Sequence, residues 1–329
     1  MSLFSWLIVL LISVGAAHWG SDQIAEPLEK LRRQWGLTEA AGAAFVALAT
    51  ASPEIGTNTA SAVQGLSDIG LGNLLGSNII SVPAIVTVAY FAAQKKPSLR
   101  LPQNPRALRV KSEALTVQAV PYIMVVALAA LLTIPPPWRG LQPIDGWIML
   151  TAYIVYAAHA IIRKREDGET VKWKKRETIF AFLGIAALIV GAYFTVTATE
   201  NIVSILGISE LVGGLFITST LSIVPEVFAT WSVARSGQFT AATTSVIADN
   251  TATMTLAFFP LALVTMPIEN LVLYSVNLFF VGALGIVYAL FIRLGLPKYS
   301  FSLKEVLALN GIYAIYLVVL LVGVLKVFS

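Results

Sequence analysis

The stretch ATASPEIG, residues 49–56, places Pro53 and Glu54 inside a run that otherwise reads as lipid-buried helix. LSIVPEVF, residues 221–228, repeats the step with Pro225 and Glu226. Proline removes a backbone donor and strikes the preceding turn, so the two steps free carbonyls near positions 49–50 and 221–222. Lipid cannot satisfy such carbonyls, which must face protein or a polar cavity. Proline also suits the first turn of a helix. Each span is therefore expected to be two half-helices, with Pro53 and Pro225 opening the second halves. A carboxylate at mid-depth in a bilayer is costly unless it is paired or protonated. Two glutamates beside two sets of freed carbonyls make an all-oxygen cage. That suits a hard cation, and Ca²⁺ accepts irregular oxygen shells more readily than Mg²⁺. A proline kink with a hydrogen-bonded glutamate would explain one such step. Its recurrence in the other half favours a site.

The composition agrees with a membrane setting. Of 329 residues, 57% are hydrophobic and 12% charged, about half the charge of a typical soluble domain. Mean hydropathy is +0.79. With no cysteine there is neither a disulfide framework nor a thiolate metal site. The two histidines, His18 and His159, fall near the ends of apolar segments and read as interfacial or packed. A net charge of +4 reflects cytoplasmic loops rather than nucleic-acid binding. The first apolar stretch lacks a basic start and reads as a span, not a cleaved signal.

A crossing helix needs about 20 apolar residues. Ten stretches qualify: 3–20, 38–66, 69–93, 115–134, 143–162, 178–199, 206–234, 240–265, 268–292 and 303–327. If the loop after the fifth is cytoplasmic, only Arg139 and Lys326 of the 22 Lys and Arg lie outside. That asymmetry predicts ten spans with both termini extracellular. Five spans per half is odd, so the second half enters the membrane inverted. With Glu54 set against Glu226, Gly42 meets Gly214, Pro53 meets Pro225 and Asn78 meets Asn250. The expected fold is an all-α polytopic membrane protein of two inverted five-helix repeats with broken helices at the midplane, the usual plan of secondary transporters. Residues 1–162 form the first repeat, 163–177 a basic cytoplasmic linker and 178–329 the second repeat. No stretch reads as a strand.

The third and eighth stretches supply further polar groups. GLGNLLGSNIIS, residues 70–81, is glycine-rich, which permits close helix approach. Ser77 and Ser81 share one helix face, with Asn73 one turn before Ser77. TTSVIADNTATM, residues 243–254, sets Asp249 opposite Ser77 and Thr253 opposite Ser81. Glu54, Glu226 and Asp249 are the acidic residues expected deep in the bilayer; Asp249 also reads as a structural carboxylate capping a half-helix.

These motifs resemble the sodium/calcium exchanger family, within the cation/Ca²⁺ antiporter superfamily. ATASPE and GLGNLLGSN are similar to its first repeat, typically G-T-S-x-P-E and G-N-x-x-G-S-N; TSTLSIVPE and TTSVIADN resemble the second less closely. The resemblance implies alternating access, with Ca²⁺ exchanged for several Na⁺. It implies Ca²⁺ ligation by Glu54 and Glu226 with the Thr50 and Ser222 carbonyls. Ala47, Thr50, Glu54 and Ser77 would frame one Na⁺ site, and Ser219, Ser222, Glu226 and Asp249 its inverted counterpart. Asn78 and Asn250 complete the candidate set. The chain departs from the family where Asp249 replaces a serine, where Ser81 and Thr253 replace an Asn and an Asp, and where Thr244 and Ala248 replace a glycine pair.

The function expected is secondary-active antiport of a divalent cation, Ca²⁺ first, against Na⁺, with H⁺-coupled exchange as the alternative and a cation channel as a further one. The G-N-x-x-E pattern of H⁺-coupled relatives is absent. No protease-type or metal-type helix marks an enzyme, and no glycine loop cradles a cofactor. Partners are inorganic cations and the bilayer of a prokaryotic cell membrane, with function as a monomer and no regulatory domain.

Overall fold

The computed structural model describes the chain apart from residues 1, 37–46, 95–99, 102–103, 113, 138, 164–167, 296–297 and 328–329. Helices occupy all ten expected stretches. They are α1 (Leu3–Gln34), α2 (Ser52–Gln64), α3 (Ser67–Ala93), α4 (Ala114–Thr133), α5 (Pro143–Arg163), α6 (Lys175–Leu206), α7 (Glu210–Ser236), α8 (Phe239–Leu263), α9 (Leu271–Leu294) and α10 (Leu303–Val324). Among the described residues, eight are long and apolar enough to cross a membrane, α2 and α5 being the others. Residues 38–46 of the second stretch lie outside the described residues.

Two expectations about the helices are corrected. The first stretch does not stop near residue 20: α1 runs on to Gln34, past Pro27. Its polar end is held by ion pairs of Lys30 with Glu26 and of Arg32 and Arg33 with Glu29, and by a further Lys30–Glu177 pair to α6. Helix-spaced pairs of this kind extend a helix beyond its apolar part. The second correction concerns the Pro-Glu steps. In the first half the helix is interrupted at Ala51, and α2 starts with Pro53 in its first turn. In the second half the helix runs through Pro225 unbroken, so no half-helix starts there. The irregularity lies upstream, as a π turn at Gly214–Thr218. Short strands also occur in the connections, where Arg100–Leu101, Asn104–Arg109 and Ser300–Phe301 form an antiparallel sheet.

The chain forms two compact units, each drawn from both halves of the sequence. The first comprises residues 1–76, 140–222 and 249–266. Here α1 and α6 lie antiparallel, with Gly20 against the Gly184 backbone and Gly191 against Ser13 and Ala17. Small residues at such crossings let backbones approach where no hydrophobic effect drives helices together. Leu10, Val14, Ala198 and Ile202 form an apolar cluster between the same two helices. α2 packs on α6, with Gly56 against Leu188 and Ala192.

The second unit comprises residues 77–139, 223–248 and 267–329. Its helices are tied by buried hydroxyl and amide contacts: Tyr316 to Asn277 at 2.7 Å, Thr133 with Tyr274 at 2.8 Å, and Tyr288 to the Thr243 carbonyl at 3.0 Å.

Candidate cation-binding site

The polar centre of the first unit is built on α2. Glu54 follows Pro53 in the first helical turn and is buried, with 1% of its surface exposed. Neither of its carboxylate oxygens has a hydrogen-bond partner in another of the described residues. Asp249, near the end of the regular part of α8, is 6% exposed and lies within electrostatic reach of Glu54. Its Oδ1 is likewise unpartnered, while the carboxylate accepts from the Thr50 hydroxyl. That hydroxyl also faces the Ala47 carbonyl at 3.4 Å, which in turn accepts the Ala51 N–H at 2.9 Å. Among the described residues no Lys or Arg is buried. Two acidic groups thus share a low-dielectric interior with no cationic side chain to balance them, an arrangement that calls for a cation or protons.

The carbonyl freed by Pro53 is not left for an ion. Ala49 O accepts from the Ser52 hydroxyl at 2.7 Å and from Ser21 on α1. Ser21 falls just past the predicted end of the first span, so nothing in the sequence pointed to it. His18, one turn before, is packed rather than interfacial, and its imidazole hydrogen-bonds the Ser222 backbone.

The other sequence candidates divide between the units. Ser219, Ser222, Asn250 and Thr253 are buried in the first unit. Ser219 donates to the Leu215 carbonyl, and Thr253 donates to the Asn250 carbonyl at 3.1 Å. Ser77, Asn78 and Ser81 are buried in the second unit, where Asn78 accepts from Tyr122 at 3.4 Å. Glu226 also belongs to the second unit and is only partly buried. Within the first unit the structure thus brings Glu54, Thr50 and Asp249 together.

The glycines of residues 70–76 position this centre. A Cβ on Gly72 would meet the Leu211 carbonyl, the Leu215 amide and Gly214 Cα; one on Gly214 would meet the backbone of Ile69, Gly72 and Asn73. α3 and the π turn of α7 therefore cross backbone to backbone, as the glycine content predicted. The same approach holds Asn73 beside α2, where its amide bonds Asn58.

The family model for the sodium/calcium exchanger protein matches residues 5–162 and 177–322, nearly the whole chain. The chain belongs to the sodium/calcium exchanger protein family. This family membership and the apolar helices make it a multi-pass membrane protein. The sodium/calcium exchanger MaX1 of Methanosarcina acetivorans is 31% identical over 93 residues. That match spans 28% of this chain and 27% of MaX1. The sodium-calcium exchanger NCX_Mj, in a structure soaked with Na⁺ and Sr²⁺, is similar over 96% of this chain and 99% of its own. Its TM-score is 0.64 at 21% identity. The H⁺/Ca²⁺ exchanger CAX gives 0.72 at 14% identity, over 98% of this chain and 82% of its own. At such identities the likeness is one of fold, and this exchanger-family chain shares it with both.

Proposed function

We propose that this chain is a secondary-active antiporter that exchanges Ca²⁺ for Na⁺ by alternating access. The observation that carries the proposal is the Glu54–Asp249 pair: buried where no Lys or Arg among the described residues is buried, and with three of its four carboxylate oxygens unpartnered. Hard cations take such oxygens. Bound cation neutralises the carboxylates and lets an apolar gate pass them. α1 and α6, which meet through small residues, are the elements suited to slide or rock.

In this reading Glu226 completes the divalent site with the Thr50 and Ser222 carbonyls. The Ser222 carbonyl has a second lone pair beside the one His18 engages. Ala47, Ser77, Ser81, Ser219, Thr253, Asn78 and Asn250 line the flanking sites. The two halves act as inverted repeats about the 163–177 linker, which faces the cytoplasm, with both termini outside and the monomer as the working unit.

H⁺-coupled exchange of the same divalent ion is the second reading, favoured by the aspartate at position 249 and the CAX-like fold. The absence of the G-N-x-x-E pattern of H⁺-coupled relatives from the sequence favours Na⁺ instead.

Uptake of ⁴⁵Ca²⁺ into proteoliposomes, driven by an outward Na⁺ gradient or an outward H⁺ gradient in parallel, separates the readings. Uptake driven by Na⁺ alone is expected. Uptake driven by H⁺ alone would transfer the coupling to protons. Uptake driven by neither, with Mg²⁺ and Mn²⁺ also tried, would overturn the exchange reading.

A further inference from the structure

Beyond Glu54 and Asp249, two buried side-chain oxygens of the first unit have no hydrogen-bond partner among the described residues, the Thr195 hydroxyl and the amide oxygen of Asn73. Asn73 is fully buried, and its Oδ1 has no hydrogen-bond partner among the described residues. The sequence marks it as lying one turn before Ser77 and as the first asparagine of the G-N-x-x-G-S-N-like motif, with no ligand role.

Its orientation is set by a relay of amides. α8 ends in a π turn at Thr253–Ala257, and the Ala257 carbonyl accepts from Asn58 Nδ2 at 3.1 Å. A carbonyl only accepts, so Asn58 must turn its nitrogen to Ala257 and its oxygen away. That oxygen accepts from Asn73 Nδ2 at 3.3 Å. Asn73 is thereby obliged to present its oxygen on the remaining side. Flipping either amide would set two acceptors or two donors against each other, so the hydrogen-bond network itself assigns the amide orientation.

The relay also fixes the level. Asn58 lies one turn beyond Glu54 on the same face of α2. The Asn58–Ala257 and Thr50–Asp249 contacts share one sequence offset, 199 residues. α2 and the end of α8 therefore run side by side in register. Glu54 contributes two acceptor oxygens with no partner in another described residue and Asp249 one; the fourth, Asn73 Oδ1, is carried by α3, whose amide meets α2 at Asn58, one turn beyond Glu54. Buried acceptors left unmade cost free energy, and a single hard cation meets several at once.

We infer that Asn73 Oδ1 is a further ligand for the transported cation, a neutral oxygen held in place by Asn58 and Ala257. The inference rests on the cation-exchange reading.

The test uses the purified full chain in detergent. Equilibrium ⁴⁵Ca²⁺ binding and thermal stabilisation by CaCl₂ or NaCl are measured for the wild type, Asn73→Ala and Asn73→Asp. Asn73→Ala should weaken binding of at least one ion by about tenfold or more. Asn73→Asp keeps an oxygen there and adds charge, so it should bind Ca²⁺ at least as tightly as the wild type. Wild-type affinity for both ions in Asn73→Ala would overturn the inference and leave the exchange reading standing. So would Asn73→Asp losing affinity as Asn73→Ala does, since the residue would then serve packing alone. If Asn73→Ala fails to fold, Asn73→Asp decides. A wild-type protein that neither ion binds or stabilises would overturn the exchange reading together with the inference.

Discussion

Glu54→Gln should abolish ⁴⁵Ca²⁺ exchange and remove the stabilisation that cations confer, while leaving the fold intact. Glu54 is buried beside Asp249, and both of its oxygens lack donors. Glutamine is nearly isosteric but removes one negative charge and turns an acceptor into an N–H₂ group aimed where a cation would sit. The loss of affinity should reach at least about 100-fold, the upper end of what changes around metal ligands cost. The protein itself should not suffer, because a buried neutral amide is less costly than a buried charge. In the wild type, cation at about 100 times its Kd should add roughly 2.7 kcal/mol of stability; in Glu54→Gln that increment should vanish and the cation-free melting midpoint should stay level or rise. Exchange at half the wild-type rate would count heavily against the site. Glu226→Gln, in the same assay, tests the proposed second ligand. Glu226 is only partly buried, so loss of exchange there would trace to the ion and not to the fold.

Gly72→Ala should be the most damaging single-methyl change in the first unit. Its Cβ would be driven into the Leu211 carbonyl, the Leu215 amide and Gly214 Cα. These are backbone atoms, which cannot rotate away as a side chain would. Overpacking usually costs about 1–3 kcal/mol, and a backbone crossing belongs at the upper end. The expected result is a clearly lowered melting midpoint in detergent and loss of the monodisperse peak on size exclusion. Gly311→Ala is the control. A Cβ there meets nothing within 4 Å, and alanine favours a helix over glycine by about 1 kcal/mol. Equal midpoints for the two variants would show that the α3–α7 crossing does not hold the unit together.

The asymmetry of the Pro-Glu steps shows where sequence reasoning reaches its end. Both steps have the same local chemistry, yet only the first interrupts its helix. Ala49 O finds two hydroxyls, Ser52 beside it and Ser21 on α1. Whether such a donor exists depends on which helix packs alongside, and Ser21 stands 28 residues away. The Asn58–Asn73 relay was invisible for a similar reason. Its two members were in plain view, but the Ala257 carbonyl that orients them lies 199 residues from Asn58.

The sequence by itself determined that the chain is helical and membrane-embedded, where its apolar stretches lie, and which carboxylates are buried candidates. A bilayer obliges each span to satisfy its backbone internally, so apolar length and breaks are written locally. Tertiary structure alone decided that Glu54 shares its interior with Asp249, which carbonyls are already taken, and which way Asn73 turns its oxygen. Those outcomes depend on which helix faces meet, and that is settled by non-local packing at crossings such as Gly72 on Gly214.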